Sequence, residues 1–313
     1  MRNLSTFRRQ CVPVLLAFLL LHVAAFPQEA AKDGQAGPCF LWKATAGAGT
    51  VYLLGSFHVT PKDFYPLPAA MEEAFKAAKF LVVECNVKNL DQEKAQKLME
   101  EKGALPGDET LSKKLSKETL KTLEDYCTQN GVPLAAFEKL KPWVVNMTVQ
   151  ILEIHKLGYD EKLGIDLHFL DEAGDKQILE LESPEAQIQL MAGFSDDLQE
   201  KILKQSLEDL AEVKVDINTA FKAWKKGDAA AMEEVVLAKN LRKHPELKPV
   251  FTAMLDERNL KMLEKIEGYL KGPDTYFVVI GAGHLLGAKG LLNLLKQKGC
   301  KVEQMQTAKG PGQ

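Results

Sequence analysis

The sequence predicts an α/β fold, of the α+β kind with a largely helical insertion: a central mixed, mainly parallel sheet with helices on its faces. Three observations carry that prediction. Short β-branched and apolar runs stand at 50–58, 80–84, 176–182, 275–280 and 300–304, spread from one end of the chain to the other. Between them lie long stretches with apolar residues at helical spacing. Where an apolar run, an amphipathic stretch and a second apolar run follow closely, as over 50–84, the unit is a crossover that sets its two strands parallel.

Taken in order, the chain opens on Arg2, Arg8 and Arg9, followed by an unbroken apolar run from Val12 to Leu21 and then His22-Val23-Ala24-Ala25. A basic start, a short apolar centre and small residues at Val23 and Ala25 predict a secretory signal peptide over 1–25, cut near Ala25. The run is shorter than the roughly 20 residues needed to span a bilayer, with retention as a membrane anchor the alternative to cleavage. No later segment is apolar enough to span, so the expected product is exported, periplasmic or extracellular, with no stable membrane span after cleavage. Residues 26–39 read as a flexible segment, 40–306 as the folded domain with its helical insertion over about 90–270, and 307–313 as a flexible tail.

Gly47 and Gly49 mark a turn before the strand Thr50 to His58. Pro66 to Ala78 carries Leu67, Ala70, Met71, Ala74, Phe75 and Ala78 at helical spacing, and Phe80 to Glu84 is a short apolar strand. Helices are expected over Ser112 to Thr128, Gly164 to Ala173, Pro184 to Ala211 and Pro245 to Tyr269, with the strand Lys176 to Glu182 among them. Thr275 to Ile280 is a buried strand, Gly281 to His284 a turn, Leu285 to Lys298 a helix, and Cys300 to Gln304 a closing strand. No internal repeat of solenoid period is present.

Composition bounds the function. At 313 residues, 46% hydrophobic and 27% charged, with a formal net charge of −3, the chain is an ordinary globular sequence. It lacks the basic footprint that a phosphate backbone demands, so nucleic acid is not expected as a partner. Cys11 leaves with the signal, and Cys39, Cys85, Cys127 and Cys300 show no metal-knuckle spacing; either disulfides or buried thiols accommodate them. Asn146-Met147-Thr148 matches a glycosylation sequon inside an expected helix.

The chemistry concentrates at strand ends. His58, Glu84 and His284 each finish a separate apolar strand, and ligands of parallel sheets bind outside the carboxyl ends of strands. Two imidazoles and a carboxylate on one edge suit a divalent metal ion of unknown identity, with positions left for water and substrate. Both histidines stand in Gly-x-x-His, as Gly55-Ser56-Phe57-His58 and Gly281-Ala282-Gly283-His284. Glu182 ends the fourth strand and is a candidate second ligand or general base. Arg258 is a candidate for orienting a carboxylate or stabilising an oxyanion through its planar fork, with a salt bridge as the alternative. Asp166 and His168, two apart on a helix, point to different faces, so one of them at most is expected to support the site. The sequence holds no HExxH helix, no Walker loop and no Gly-x-Ser-x-Gly elbow. Gly281 to Gly287 resembles half a dinucleotide loop, but no acidic strand end follows it.

The ordered segments GSFHVTPKDFYPLPAAMEEAFKAAKFLVVE, GIDLHFL, ILELES, DERN and VVIGAGHLLG resemble the TraB/PrgY/GumN family from about Phe40 to Met305. That family is similar to the Tiki metalloproteases, so the resemblance implies a Tiki/TraB-like fold and a metal-dependent peptidase acting on a peptide or protein. On it, His58 and His284 take the histidine positions and Glu84 the carboxylate, while Asp166, His168, Glu182 and Arg258 fall in the other matching motifs. The wider group also resembles haem-binding lipoproteins and erythromycin esterases, and fold alone does not choose the reaction. The competing readings are a haem- or metal-binding envelope protein without catalysis, and a non-catalytic factor in envelope or polysaccharide biogenesis.

Overall fold

A computed structural model describes residues 37–307. The expected signal peptide and its expected cleavage point, most of the 26–39 segment and nearly all of the expected tail lie outside the described residues. Two corrections concern the margins. Pro38 and Cys39 already belong to a strand, and Thr307 hydrogen-bonds back to Gly37, its N–H donating to the Gly37 carbonyl at 2.7 Å.

The chain divides into two compact units. One comprises 89–158 and 183–211; the other comprises 37–88, 159–182 and 212–307 among the described residues. The second unit carries a six-stranded sheet in the order β4-β3-β5-β2-β1-β6. Its strands are β1 (Pro38–Ala46), β2 (Gly49–Ser56), β3 (Phe80–Val83), β4 (Gln177–Glu180), β5 (Thr275–Gly281) and β6 (Lys301–Gln306). β2, β5, β3 and β4 run parallel, while β1 lies antiparallel to both β2 and β6. The sheet is therefore mixed and mainly parallel. Sequence reading did not foresee β1, which pairs with β2 through the tight turn at Gly47 (φ 60°).

The parallel strands are apolar on both faces, as helices packed on them require. Leu53, Leu54, Leu81, Val82 and Phe277 to Ile280 are fully buried. The helices Ala69–Ala77 and Ile165–Asp171 bring Phe75 and Phe169 onto Phe277, with ring centroids 5.5 and 4.9 Å away. Trp224 stacks on Phe40 and donates its indole N–H to the Gly55 carbonyl at 2.5 Å.

Several expected helices are irregular or interrupted. Pro245 to Tyr269 is a short 3-10 turn, a helical turn at Lys248–Phe251, a π-helical turn at Thr252–Asp256 and the helix Glu257–Leu270. Leu285 to Lys298 is helical only over Leu291–Gln297, because Gly287 adopts φ 81° and ends the preceding 3-10 turn. In the first unit, Ser116 and Ser195 cap new helices by accepting from the Thr119 and Leu198 N–H groups, and the expected helix Pro184 to Ala211 breaks again after Glu208, where a further helix starts at Leu210.

That first unit is helical and has its own core. Leu111 of the short helix Leu111–Lys114 packs with Leu123, Tyr126, Val145, Val149 and Leu203 from helices Lys117–Asn130, Pro142–Lys156 and Asp196–Glu208. Asn146 is 5% exposed on the second of these, so the sequon is closed to glycosylation in the folded chain. Cys39, Cys85, Cys127 and Cys300 are all free thiols. Among the described residues no helix is long and apolar enough to cross a membrane.

Candidate functional site

Strand register brings the candidate residues to one sheet edge. Ser56 pairs with Gly281, and Val83 pairs with both Val279 and Glu180. The pairing continues past the strands, where Glu182 N–H donates to the Glu84 carbonyl at 2.8 Å. Beyond those ends the chain turns out, and His58, Glu84, Glu182 and His284 follow within three residues of it.

His58 is held by the helix Ile165–Asp171. Its Nδ1 donates to Asp166 Oδ2 at 2.9 Å, and the other carboxylate oxygen, Oδ1, accepts from Ser56 Oγ at 3.0 Å. The helix can stand so close because residue 164 is glycine: a Cβ there would lie 2.4 Å from the His58 carbonyl oxygen. His168, on the same helix, turns away. It pairs with Glu72 at 2.9 Å and packs on the Tyr65 ring.

Glu84 is buried and held from two sides. Oε1 accepts the Gly281 N–H at 2.6 Å, and Oε2 accepts from Arg258 Nη2 at 2.8 Å. Arg258 also donates through Nε to both oxygens of Glu182 at 2.9 Å, through Nη2 to Glu182 Oε2, and through Nη1 to the Met254 carbonyl at 2.9 Å. The guanidinium is thus a clamp between the buried Glu84 carboxylate and the partly buried Glu182 carboxylate. Its fork meets Glu182 and Glu84 side by side, the geometry that distinguishes arginine from lysine.

His284 lies on the 3-10 turn Ala282–Leu285 after β5 and is 4% exposed. Its Nδ1 meets Asn259 Oδ1 at 2.6 Å, and its Nε2 stands 3.8 Å from Glu84 Oε1. Two π-helical turns, Glu234–Ala238 and Thr252–Asp256, back this loop, since a Cβ at Gly283 would meet Val236 and Leu255. The second π turn directly precedes Arg258 and Asn259. Such turns concentrate at functional sites.

The point of convergence is Gly281. A Cβ placed there would lie 3.1 Å from Glu84 Oε1, 3.4 Å from His58 Nε2 and 3.7 Å from His284 Cδ2. Glycine keeps this small space open, and the donors around it are two imidazoles and an ionised carboxylate. That set suits a divalent cation. Among the described residues, however, no three His, Cys, Asp or Glu side chains stand in an arrangement that could itself hold a metal ion.

The two histidines titrate in opposite directions. Burial lowers His58, but the charge and hydrogen bond of Asp166, with Glu84 behind, more than offset it and raise it to about 9. Burial and the Arg258 charge bring His284 down to about 4. Burial also works against the charged form of Glu84, yet His284, Arg258 and His58 together hold its carboxyl at about 2.

A pH dependence follows for metal-free protein. His58, raised above its ordinary 6.5, stabilises the fold fully below that pH, and the contribution is lost as pH rises through about 9. His284, lowered from 6.5 to about 4, costs stability as pH falls between those values, because the unfolded chain takes up the proton first. Histidine titration by NMR is expected to place one ring near each limit. A His58 ring titrating at its ordinary value would remove the Asp166 contribution.

Sequence reading missed Asn259, although it stands beside Arg258 in DERN; asparagine is too common on helices for its type to signal a role.

The family model described as TraB/PrgY/gumN family matches residues 40–304 of the chain. Among curated proteins, the uncharacterized protein YbaP of Escherichia coli strain K12 is 26% identical over 249 residues, covering 78% of this chain and 87% of that protein. YbaP of Shigella flexneri matches to the same extent. No solved structure matches with significance.

Proposed function

We propose, from the premise that the chain belongs to the TraB/PrgY/gumN family, that it is a metal-dependent hydrolase of peptide bonds whose centre is formed by His58, Glu84 and His284. The observation that carries this reading is the space kept open by Gly281, with Glu84 Oε1, His58 Nε2 and His284 around it. A divalent cation held by these three residues would supply Lewis acidity toward water and toward a carbonyl oxygen.

The remaining residues position that set. Asp166 fixes the ring of His58 and leaves its Nε2 directed at the Gly281 space. Arg258 holds one oxygen of Glu84 and joins the histidines in keeping the carboxylate ionised, while Glu182 anchors Arg258. Glu182 serves this reading as the partner of the guanidinium first, and as a base only if it leaves it. The basic and then apolar run within residues 1–25 supports the further reading that the protein works after export, on a peptide or protein substrate.

Metal analysis of protein purified without added metal is the test. About one divalent ion per chain is expected in wild type, and less than about a tenth of that in His58→Ala and in His284→Ala, a loss of more than about 1.4 kcal/mol per site. Peptide cleavage should stop on chelation and return on adding metal. Metal bound without cleavage would favour a non-catalytic metal-binding protein, and wild-type metal content in both variants would overturn the centre.

A further inference from the structure

We infer that Asn259 is a positioning residue that decides which nitrogen of His284 faces Glu84. The orientation of its amide follows from its second partner. Asn259 Nδ2 lies 2.9 Å from the Lys289 carbonyl oxygen, which can only accept, so the nitrogen must occupy that side. Oδ1 therefore faces His284 Nδ1 at 2.6 Å. A carbonyl oxygen accepts too, so the hydrogen sits on Nδ1 of the imidazole. The neutral ring then carries its lone pair on Nε2, the atom 3.8 Å from Glu84 Oε1.

Burial makes this decision binding. Asn259 is 1% and His284 4% exposed, so a lost partner would not be replaced by water without a cost. The two acceptors left facing each other across the gap suit a cation between them, and this last step rests on the metal centre proposed above. Consecutive residues at the start of one helix thus hold different parts of the site, with Arg258 gripping Glu84 and Glu182 while Asn259 sets His284. Without Asn259 the ring is free to place its N–H on Nε2 and donate it toward Glu84, which removes the lone pair a metal needs.

Long-range proton–nitrogen NMR correlation on the metal-free full-length protein at neutral pH reads the tautomer directly. Wild type is expected to show His284 as the Nδ1–H form, and so is Asn259→Asp, which keeps the acceptor toward Nδ1 at the cost of the donor to the Lys289 carbonyl. Asn259→Leu is expected to shift it to Nε2–H and to weaken zinc binding by roughly 10- to 100-fold, with Asn259→Asp retaining most of the affinity. A wild-type ring in the Nε2–H form overturns the inference, as does a folded Asn259→Leu protein that binds zinc like wild type. Should Asn259→Leu fail to fold, the wild-type and Asn259→Asp tautomers decide alone. Wild type that shows Nδ1–H yet binds neither zinc nor any other divalent ion tested would remove the proposed metal centre while leaving the role of Asn259 standing.

Discussion

Arg258→Met is expected to be the most destabilising single change at the site, lowering the melting temperature by roughly 6–20 °C. The side chain is 10% exposed and its partners Glu84 and Glu182 are 7% and 9% exposed, so both carboxylates would stay largely buried after losing the guanidinium that bridges them. Breaking a buried ion pair on one side typically costs about 3–5 kcal/mol, and a chain of this size loses roughly 2–4 °C for each kcal/mol. Acidification should restore part of the loss, because the stranded carboxylates can then take up protons. Arg258→Lys should fall between the two, since one ammonium cannot reproduce a fork that serves two carboxylates and a carbonyl. Adding Glu182→Gln to Arg258→Met should recover stability by removing one of the stranded charges. Thermal unfolding at neutral and mildly acid pH checks all three; a melting temperature for Arg258→Met within about 2 °C of wild type would mean that the clamp contributes little.

That clamp shows where sequence reading stops. The strand ends were legible, because apolar runs such as FLVV and TYFVVI admit few other structures and a polar residue closing each one is conspicuous. The parallel sheet then follows from crossover handedness, and with it the shared edge for His58, Glu84 and His284. Pairing across the sequence was not legible. Nothing in the spacing of Glu84, Glu182 and Arg258 says that one guanidinium holds both carboxylates, since the three lie far apart in the chain and a π-helical turn that no periodicity signals precedes Arg258. The hidden β1 has a similar cause. Cys39 to Trp42 forms a continuous buried run, not an alternating one, and Gly47 with Gly49 reads as the start of the next strand as readily as the turn of a hairpin. Helix ends failed where a single serine or glycine decides them, as Ser116, Ser195 and Gly287 do. The division of labour between Asp166 and His168 was accessible, because residues two apart on a helix cannot share a face.

Gly281→Ala is expected to have the largest effect on function for the smallest change in structure. The backbone there has φ −51° and ψ 133°, a region open to any residue, so alanine meets no conformational penalty. Its N–H would still donate to Glu84. What changes is the space: the new methyl would sit 3.1 Å from Glu84 Oε1 and 3.4 Å from His58 Nε2, and these side chains must give way by a few tenths of an ångström. Crowding of this kind costs about 1–3 kcal/mol of stability at most. A ligand set displaced on that scale, with a methyl standing in its midst, loses far more; metal uptake should fall below about a tenth of wild type, a change of more than about 1.4 kcal/mol, and peptide cleavage by roughly 10²-fold. Gly283→Ala, two residues on in the same turn, is the control. Its Cβ would meet Val236 Cγ1 at 3.4 Å and Leu255 Cδ2 at 3.6 Å, apolar groups only, so metal content should remain near wild type. Metal analysis of the two variants side by side separates a blocked site from a loosened loop. If Gly281→Ala keeps its metal and its activity, the space between Glu84, His58 and His284 is not where the ion resides, and the centre must be sought elsewhere.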